Sequence, residues 1–287
     1  MEMNIQDRVT DLIRNPKTTL PTLPVVTNNI IVTARSAESS AKDLANFIIN
    51  DQAISTRVLK IANSSYYGMS QEIDSISRAI VVIGFKEILS LALGMGVFSA
   101  LSSKEQGGLL DMKELWKHSI AVGFAMKKVA KKTGRTSDES TVLVGLLHDV
   151  GKIIFSIYFP DEYGEVLKRA TTDETPLHKL ERKILGLDHA EMGYRLMEHW
   201  NFPADIAEPL HHHHNPSECP DGHMALVVNV ANLIAHKSGI GGCSGNGTRS
   251  DHTVLSRLRL HHDSVVALAK ELESERAEIE GFLEALS

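Results

Sequence analysis

Residues 145–152 read GLLHDVGK and place His148 directly before Asp149 at the end of an apolar run. A neutral imidazole and a carboxylate are both good ligands for first-row transition metals. A buried Asp also needs a partner that offsets the cost of its desolvation. The stretch therefore predicts a segment of protein core that carries a candidate metal site. The dipeptide alone is weak evidence, and its weight depends on which other segments supply ligands beside it.

Composition restricts the classes of protein to which the chain can belong. Of its 287 residues 43% are hydrophobic, which suffices for a substantial core. The net charge is -6, and no basic run would neutralise phosphates, so we expect no nucleic-acid partner. Cys219 and Cys243 have neither metal nor redox spacing, and residues 1–10 lack the apolar core of a signal peptide. We find no membrane-spanning stretch of about 18 apolar residues and predict a soluble, cytoplasmic protein.

Helical spacing of apolar residues runs through nearly every long segment, and convincing strand alternation is absent, which predicts an all-α fold. In the first half we predict helices at about 3–14, 24–37, 41–50, 51–63, 73–82 and 84–102. In the second half we predict helices at about 110–133, 138–156, 160–174, 177–185, 188–200, 203–213 and 221–237. The polar segment 102–108 is the best boundary, so we divide the chain into sub-domains 1–106 and 107–240.

The remaining part, residues 241–287, combines a glycine-rich loop with a terminal helix. The sequence from 239 to 251 is GIGGCSGNGTRSD, which is typical of a flexible loop and lacks the lysine of a phosphate-binding loop. Residues 262–286 form an amphipathic helix with one apolar stripe. This stripe packs either on the core or on a second copy of the chain, as a homodimer. Its members are Val265, Leu268, Leu272, Ile279, Leu283 and Leu286.

Helical periodicity turns several histidines toward the interior. His118 shares an apolar face with Leu115 and Val122, and His189 shares one with Leu196. Four consecutive histidines occupy 211–214, and the positions of Ile206 and Leu210 favour the last two as the inward pair. Asn232 lies on an apolar face of a later helix. The candidate metal-site residues are therefore His118, His148, Asp149, His189, His213, His214 and Asn232.

Each of these histidines also has an ordinary structural interpretation. A single inward histidine is more often a hydrogen-bonded core residue than a metal ligand. Burying five imidazoles and a carboxylate together without a metal is harder, because each unpartnered polar group costs about 1–3 kcal/mol. We assign the other histidines to the surface: His178, His199, His211, His212, His223, His236, His252, His261 and His262.

With these positions, the chain resembles the HD superfamily of metal-dependent phosphohydrolases. LWKHSIAV, GLLHDVGK, DHAEMG and HHNP contain His118, His148-Asp149, His189 and His213-His214, in the order seen in HD-GYP cyclic di-GMP phosphodiesterases. The resemblance implies one or two divalent transition metals, with iron, manganese, nickel and zinc all compatible. Two features depart from it. The GYP stretch is missing after the paired histidines, and Asn232 stands where the closing Asp is usual, which removes one negative charge from the site.

The first half resembles the HDOD domain, an HD-related output domain of bacterial signalling. The resemblance rests on LPTLPVV (20–26), DLANFIINDQAISTRVLKIANSSYYG (43–68) and ISRAIVVIGFKEI (76–88), and covers about residues 17–240. The resemblance implies an HD-like helical bundle preceded by a smaller helical sub-domain. It also implies a regulatory role, because most HDOD proteins are regulators with no established catalytic activity. Within NSSYYG, we interpret the residues as a helix end with a glycine stop. The alternative is that Tyr66 and Tyr67 expose aromatic area to a partner.

Three functions follow from this resemblance. The first is a non-catalytic signal-transduction module that contacts other signalling proteins and keeps part of the metal site. The second is a metal-dependent phosphohydrolase or phosphodiesterase acting on a cyclic or other nucleotide, in which Asp149 and Lys152 are the catalytic residues. The third is a metal or ligand sensor. For Lys152, a solvated lysine near a helix end is the simpler interpretation. No residue is predicted to bind an organic cofactor.

Overall fold

A computed structural model describes residues 5–15, 20–36, 39–102, 109–134, 140–219, 222–242 and 252–286. Every regular element in these ranges is a helix, which confirms the all-α prediction. The first half contains α1 (Ile5–Arg14), α2 (Val25–Arg35), α3 (Ala41–Ile49), α4 (Gln52–Ala62), α5 (Ile76–Ile83) and α6 (Phe85–Ser102). The predicted helices of this half therefore all exist, with ends shifted by a few residues.

The second half contains more helices than the sequence predicts, because two of the predicted helices are interrupted and the helix His252–Arg257 has no predicted counterpart. It consists of α7 (Met112–Lys132), α8 (Thr141–Leu147), α9 (Val150–Tyr158), α10 (Pro160–Thr172), α11 (Leu177–Leu185), α12 (His189–His199), α13 (Ala204–His211), α14 (His223–Ser238), α15 (His252–Arg257), α16 (His262–Ser274) and α17 (Arg276–Leu286). A short 3-10 turn, Pro216–Glu218, precedes α14.

Helix α7 is the centre of the second half. It packs along α8 and α14, while α9 packs on α12, and α12 packs on α13. Helix α6 joins the two halves because it contacts α2, α4 and α5 on one side and α8 on the other. The buried apolar residues form one continuous core from Val9 to Leu286. Residues 103–108 of the predicted boundary segment 102–108 lie outside the described residues, so the division into sub-domains stays a prediction.

Two stretches of 18 residues, Phe85–Ser102 and Thr141–Tyr158, are apolar enough to cross a membrane by length and composition, contrary to the sequence prediction. In the fold, 72% and 89% of these stretches are buried inside the protein. The second stretch is also interrupted at His148 and Asp149. A helix that is buried on all sides is apolar on all sides, so the core helices of this fold satisfy the same test.

The C-terminal segment packs on the body of the protein. The predicted helix 262–286 is interrupted at Glu275, where the backbone turns between α16 and α17. Helix α16 packs on α14 and α7, and α17 packs on α7 and α4. Every member of the apolar stripe is at most 6% exposed. The stripe is therefore covered by the chain's own core, and a homodimer through this segment stays a prediction that would need another face. Residues 243–251 of the glycine-rich loop lie outside the described residues.

The NSSYYG motif contacts helices of both halves of the chain. Asn63 ends α4, and its side chain donates to the Ile73 carbonyl at 2.8 Å and accepts from the Ile73 N–H at 2.7 Å. The ring of Tyr66 packs on Phe124 of α7, with ring centroids 4.1 Å apart. The Tyr67 hydroxyl donates to Glu87 Oε1 of α6 at 2.8 Å. The two tyrosines thus make their contacts within the chain, and Gly68 has the positive φ of 56° that is typical of a glycine stop after a helix.

Candidate metal centre

The helix that the sequence predicts over 138–156 is interrupted at its His-Asp pair. His148 ends α8 and Asp149 precedes α9. Neighbouring side chains on a continuous helix point about 100° apart, so an unbroken helix would separate the two groups. At this break His148 Nε2 lies 3.4 Å from Asp149 Oδ2. The interruption therefore directs both side chains toward one point, and both residues are at most 2% exposed.

Glycines allow the helices around this break to approach closely. A Cβ atom on Gly145 would lie 2.4 Å from the backbone nitrogen of Gly123, so α8 rests directly on the backbone of α7. A Cβ atom on Gly151 would lie 2.0 Å from the carbonyl oxygen of His189. The α9 backbone can therefore lie against the start of α12. This contact brings Asp149 and His189 together.

His189 joins the centre from the first turn of α12. Asp188 caps this helix by accepting the Glu191 N–H at 3.0 Å. His189 Nε2 lies 3.2 Å from Asp149 Oδ1. On the other side of the ring, His189 Nδ1 donates to Glu181 Oε2 at 2.5 Å, and Glu181 is 0% exposed. A buried carboxylate thus fixes the orientation of the ring and directs Nε2 into the centre.

His213 and His214 enter from the chain that follows α13. The helix predicted over 203–213 ends at His211, so these two histidines lie in a turn rather than on the helix. His213 is 0% exposed, and its Nδ1 donates to the Leu210 carbonyl at 2.7 Å. His214 is partly buried, and its Nε2 lies 2.9 Å from His189 Nε2. The inward pair is the predicted one, although the turn places it there.

His118 and Asn232 contribute the remaining side chains of the site. His118 Nε2 lies 3.0 Å from Asn232 Oδ1 and 4.0 Å from Asp149 Oδ2. The two residues are 0% and 3% exposed. The structure thus brings His118, His148, Asp149, His189, His213, His214 and Asn232 to one site, from five separate segments of the chain. Two sets of three ligand atoms arise there, one from His118, His148 and Asp149 and one from His189, His213 and His214.

The donor atoms of this site fit a metal ion. His148 Nε2 and His213 Nε2 are buried without a hydrogen-bond partner. Their Nδ1 atoms are held by backbone carbonyls, that of His148 by Gly145 at 2.8 Å. An imidazole whose second nitrogen donates to a carbonyl or a carboxylate is the usual arrangement around a bound metal. His148, His213 and His189 all have it, and a metal would give the two orphaned nitrogens a partner.

The charge states also suit a metal. Burial, reinforced by neighbouring imidazoles, holds the pKa of His118, His213 and His214 well below the ordinary value. Burial also lowers the pKa of His148. Burial opposes the ionised form of Asp149, but His148, Lys152 and His189 outweigh it and hold the pKa of Asp149 well below its ordinary value. At neutral pH these four imidazoles are therefore neutral and Asp149 is ionised, the forms that bind divalent ions, whereas His189 stays protonated in the metal-free site and must lose its proton to bind a metal.

Sequence reasoning missed three residues of the site, His178, His236 and Glu181, and its simpler interpretation of Lys152 was wrong. Lys152 is not a solvated lysine: it is 7% exposed, and its Nζ lies 2.6 Å from Asp149 Oδ2. His178, assigned to the surface, is partly buried and stacks on His214 with ring centroids 4.1 Å apart. His236, also assigned to the surface, lies 4.8 Å from the His118 ring. No pattern in the sequence indicates a role for Glu181. Helical spacing could have suggested His236, which follows Asn232 by four residues, but only the fold positions the others.

The Glu181 carboxylate yields a prediction about pH. Burial opposes the charged form of His189, but Glu181 outweighs it and raises the pKa of His189 from 6.5 to about 9. The charged ring therefore stabilises the metal-free fold by about 3 kcal/mol below pH 6.5, and this contribution disappears as the pH rises through about 9. Glu181→Gln should remove most of it. Urea unfolding in chelator should show that Glu181→Gln has a much lower free energy of unfolding than the wild type at pH 6 and a slightly lower one at pH 10.

The matched control is Glu165→Gln, which removes an exposed carboxylate that pairs with Arg169 at 2.6 Å. An exposed pair of this kind contributes at most about 1 kcal/mol, so the control should differ little from the wild type at either pH. Equal destabilisation of Glu181→Gln at pH 6 and pH 10 would show that Glu181 does not act through the charge of His189.

Comparisons with known proteins agree with the fold and the motifs. The family model described as the HDOD domain matches residues 20–216. An uncharacterized protein of Treponema pallidum is 25% identical over 233 residues, which are 80% of this chain and 45% of that protein. The chain thus spans less than half the length of this curated relative.

Solved structures share the fold. An HDOD domain protein of unknown function from Geobacter sulfurreducens has a TM-score of 0.77 at 22% identity and covers 99% of both chains. A protein from Marinobacter aquaeolei VT8, to which a role in signal transduction has been ascribed, has a TM-score of 0.80 at 21% identity, with 98% of this chain and 65% of that chain covered. At these identities the likeness concerns the fold. The family match over most of the chain goes further: this chain belongs to the HDOD domain family.

Proposed function

We propose that the chain is a cytoplasmic, non-catalytic regulatory module of bacterial signalling that holds one divalent transition metal and acts by contacting other signalling proteins. Membership of the HDOD family supports the signalling role, as does the fold shared with a protein to which signal transduction has been ascribed. The proposal of a bound metal rests on a single observation. His148 and His213 present buried, unpartnered Nε2 atoms at one point, beside the carboxylate of Asp149.

The proposed ligands are His148, Asp149, His189, His213 and His214. The metal supplies positive charge that balances Asp149 and gives the orphaned imidazole nitrogens a partner. Its removal would leave buried polar atoms without partners, at about 1–3 kcal/mol each. We infer that the metal stabilises the fold, so that chelation should lower the melting temperature. Iron, manganese, nickel and zinc all suit a set of imidazole nitrogens and one carboxylate.

Asn232 limits the number of ions. A neutral amide oxygen at this position contributes no negative charge, and it already contacts His118 Nε2 at 3.0 Å. A second divalent ion on this side would therefore meet only the charge of Asp149, which is shared with the first ion. This is why we propose one metal rather than two, and a reduced capacity to generate hydroxide from bound water.

Asn232→Asp should increase metal binding. The new carboxylate lies beside His118 and near Asp149, so in the metal-free protein two buried negative charges would repel each other. A divalent ion would relieve that repulsion. We therefore expect higher metal content than in the wild type and a larger loss of melting temperature in chelator, measured by elemental analysis and thermal unfolding. The control Asn29→Asp adds the same charge at an exposed position of α2. Equal metal content and equal chelator sensitivity in both variants would contradict this prediction.

Catalysis is tested separately, because a phosphodiesterase is the alternative function. The observation in its favour is the buried pair of Asp149 and Lys152, 2.6 Å apart, within a His-rich site. A metal there would supply an activated water, Asp149 would help to hold the metal, and Lys152 would balance phosphate charge. The metal-loaded protein and Asp149→Asn should be assayed with cyclic di-GMP and with a generic phosphodiester. Equal background rates support the regulatory function, whereas metal-dependent hydrolysis lost in Asp149→Asn would replace it with the enzyme.

A further inference from the structure

The four consecutive histidines divide into two pairs with different surroundings. His213 and His214 contribute to the buried centre, whereas His211 and His212 fall into a separate three-ligand group with Glu208. All three members of this second group are only partly buried. This outer pair is predicted from the sequence to lie at the surface, and the HD-type motif gives it no role. The group is therefore available to ions from solution and is not required by the function proposed above.

Helical spacing explains why these three side chains meet. Glu208, His211 and His212 are at positions i, i+3 and i+4 at the end of α13, so they share one face of its last turn. One ligand atom from each lies within 4.8 Å of the other two. His212 Nε2 is 3.5 Å from Glu208 Oε2, and the rings of the two histidines are 4.5 Å apart. Small side-chain movements would bring all three atoms onto one ion.

The ring of His211 is held in place by a neighbouring helix. Tyr194 of α12 stacks on it with ring centroids 4.6 Å apart and an interplanar angle of 18°. The Tyr194 hydroxyl is in turn anchored, because it donates to Glu198 Oε1 at 3.1 Å. A ligand that is already oriented loses less conformational entropy when an ion binds. Two imidazole nitrogens and one carboxylate oxygen form a set that zinc accepts, with water completing the coordination.

We propose that Glu208, His211 and His212 form a second divalent transition-metal site, at the surface and separate from the buried centre, that takes Zn²⁺ or Ni²⁺ from solution. Both ions bind strongly to imidazole nitrogen among the divalent metals of the first row. The proposal does not depend on whether the buried centre holds a metal. It assigns a ligand function to the two histidines of the run that the HD-type motif does not use.

The test is a calorimetric titration of the metal-stripped, full-length chain with Zn²⁺. The wild type should bind two equivalents, and the double variant His211→Gln/His212→Gln should bind one. His148→Gln should lose the buried equivalent and keep the surface one. The control is His261→Gln/His262→Gln, another adjacent and exposed pair, which belongs to no three-ligand group in the part of the chain that the structure describes. It should bind as the wild type does.

The outcomes separate the two sites. If His211→Gln/His212→Gln binds as many equivalents as the wild type, the surface site is overturned. If the wild type binds one equivalent that the double variant loses, the surface site is supported and the buried centre fails. Circular dichroism of each variant checks that it is folded. As a second measurement, histidine ring signals in the NMR spectrum of His148→Gln should shift on addition of zinc, and loss of those shifts in the additional His211→Gln background would assign them.

Discussion

Replacing His148 by glutamine is expected to lower the metal content of the buried centre at least about tenfold. The loss of a metal ligand should weaken metal binding at least as much as the loss of a residue that only supports a ligand. The ring presents an unpartnered Nε2 to the centre, while its Nδ1 is fixed by the Gly145 carbonyl. Glutamine keeps a hydrogen-bonding side chain of similar length but offers no imidazole nitrogen. Elemental analysis should be made after dialysis against a weak chelator that removes loosely bound surface ions.

The control for this experiment is His252→Gln, which removes an exposed histidine outside the centre. It should retain the metal content of the wild type. Thermal unfolding in chelator would show whether His148→Gln is folded, and we expect its metal-free form to melt near the metal-free wild type, because both then lack the ion. A folded His148→Gln protein that keeps its metal through dialysis would remove the basis of the proposed centre.

Gly151→Ala should destabilise the protein by at least about 3 kcal/mol, the upper range for forcing extra atoms into a packed interior. The new Cβ atom would lie 2.0 Å from the His189 carbonyl oxygen and 2.8 Å from the Gly193 nitrogen. Both atoms are backbone, so no side-chain rotation relieves the overlap, and α9 must move away from α12. Because that contact holds Asp149 beside His189, we also expect weaker metal binding. Urea unfolding and metal content measure the two effects.

Gly281→Ala is the matched control. It lies within α17, is exposed, and a Cβ atom there would meet nothing within 4 Å. Alanine in an open helical position should stabilise by about 0.5–1 kcal/mol, because it restricts the unfolded chain. Both substitutions replace glycine by alanine, and their effects on the free energy of unfolding should have opposite signs. If Gly151→Ala unfolds at the same urea concentration as the wild type, the close contact between α9 and α12 is not what assembles the site.

Much of the site could be predicted because its residues lie on amphipathic patterns. His118 and His189 lie on the apolar faces of α7 and α12, and Asn232 lies on that of α14. Helical periodicity alone therefore predicts that they face inward. The last two histidines of the run are the inward pair by the same reasoning, although α13 ends before them. Periodicity succeeds here because burial of an apolar face fixes the rotation of a helix, and every side chain on that face turns with it.

The supporting residues could not be predicted, because their roles depend on which helices become neighbours. Glu181 meets His189 only through the turn between α11 and α12, and His178 reaches His214 across separate segments. Lys152 would be solvated on an isolated helix, yet the packing of α9 buries it against Asp149. Charge pairs of this kind leave no periodic signal, since their partners lie at unrelated distances along the chain.

The sequence by itself determined the helical class, the family and the inward direction of His118, His189 and the pair His213-His214, because these depend on local periodicity and on motifs. Only the tertiary structure decided that α8 and α9 are separate helices, that α16 and α17 cover the core, and that Glu181 orients His189. An uninterrupted pattern of apolar residues cannot reveal a break whose cause is packing elsewhere. At His148 and Asp149, the contacts of Gly145 with α7 and of Gly151 with α12 fix two helix directions, and the chain must turn between them.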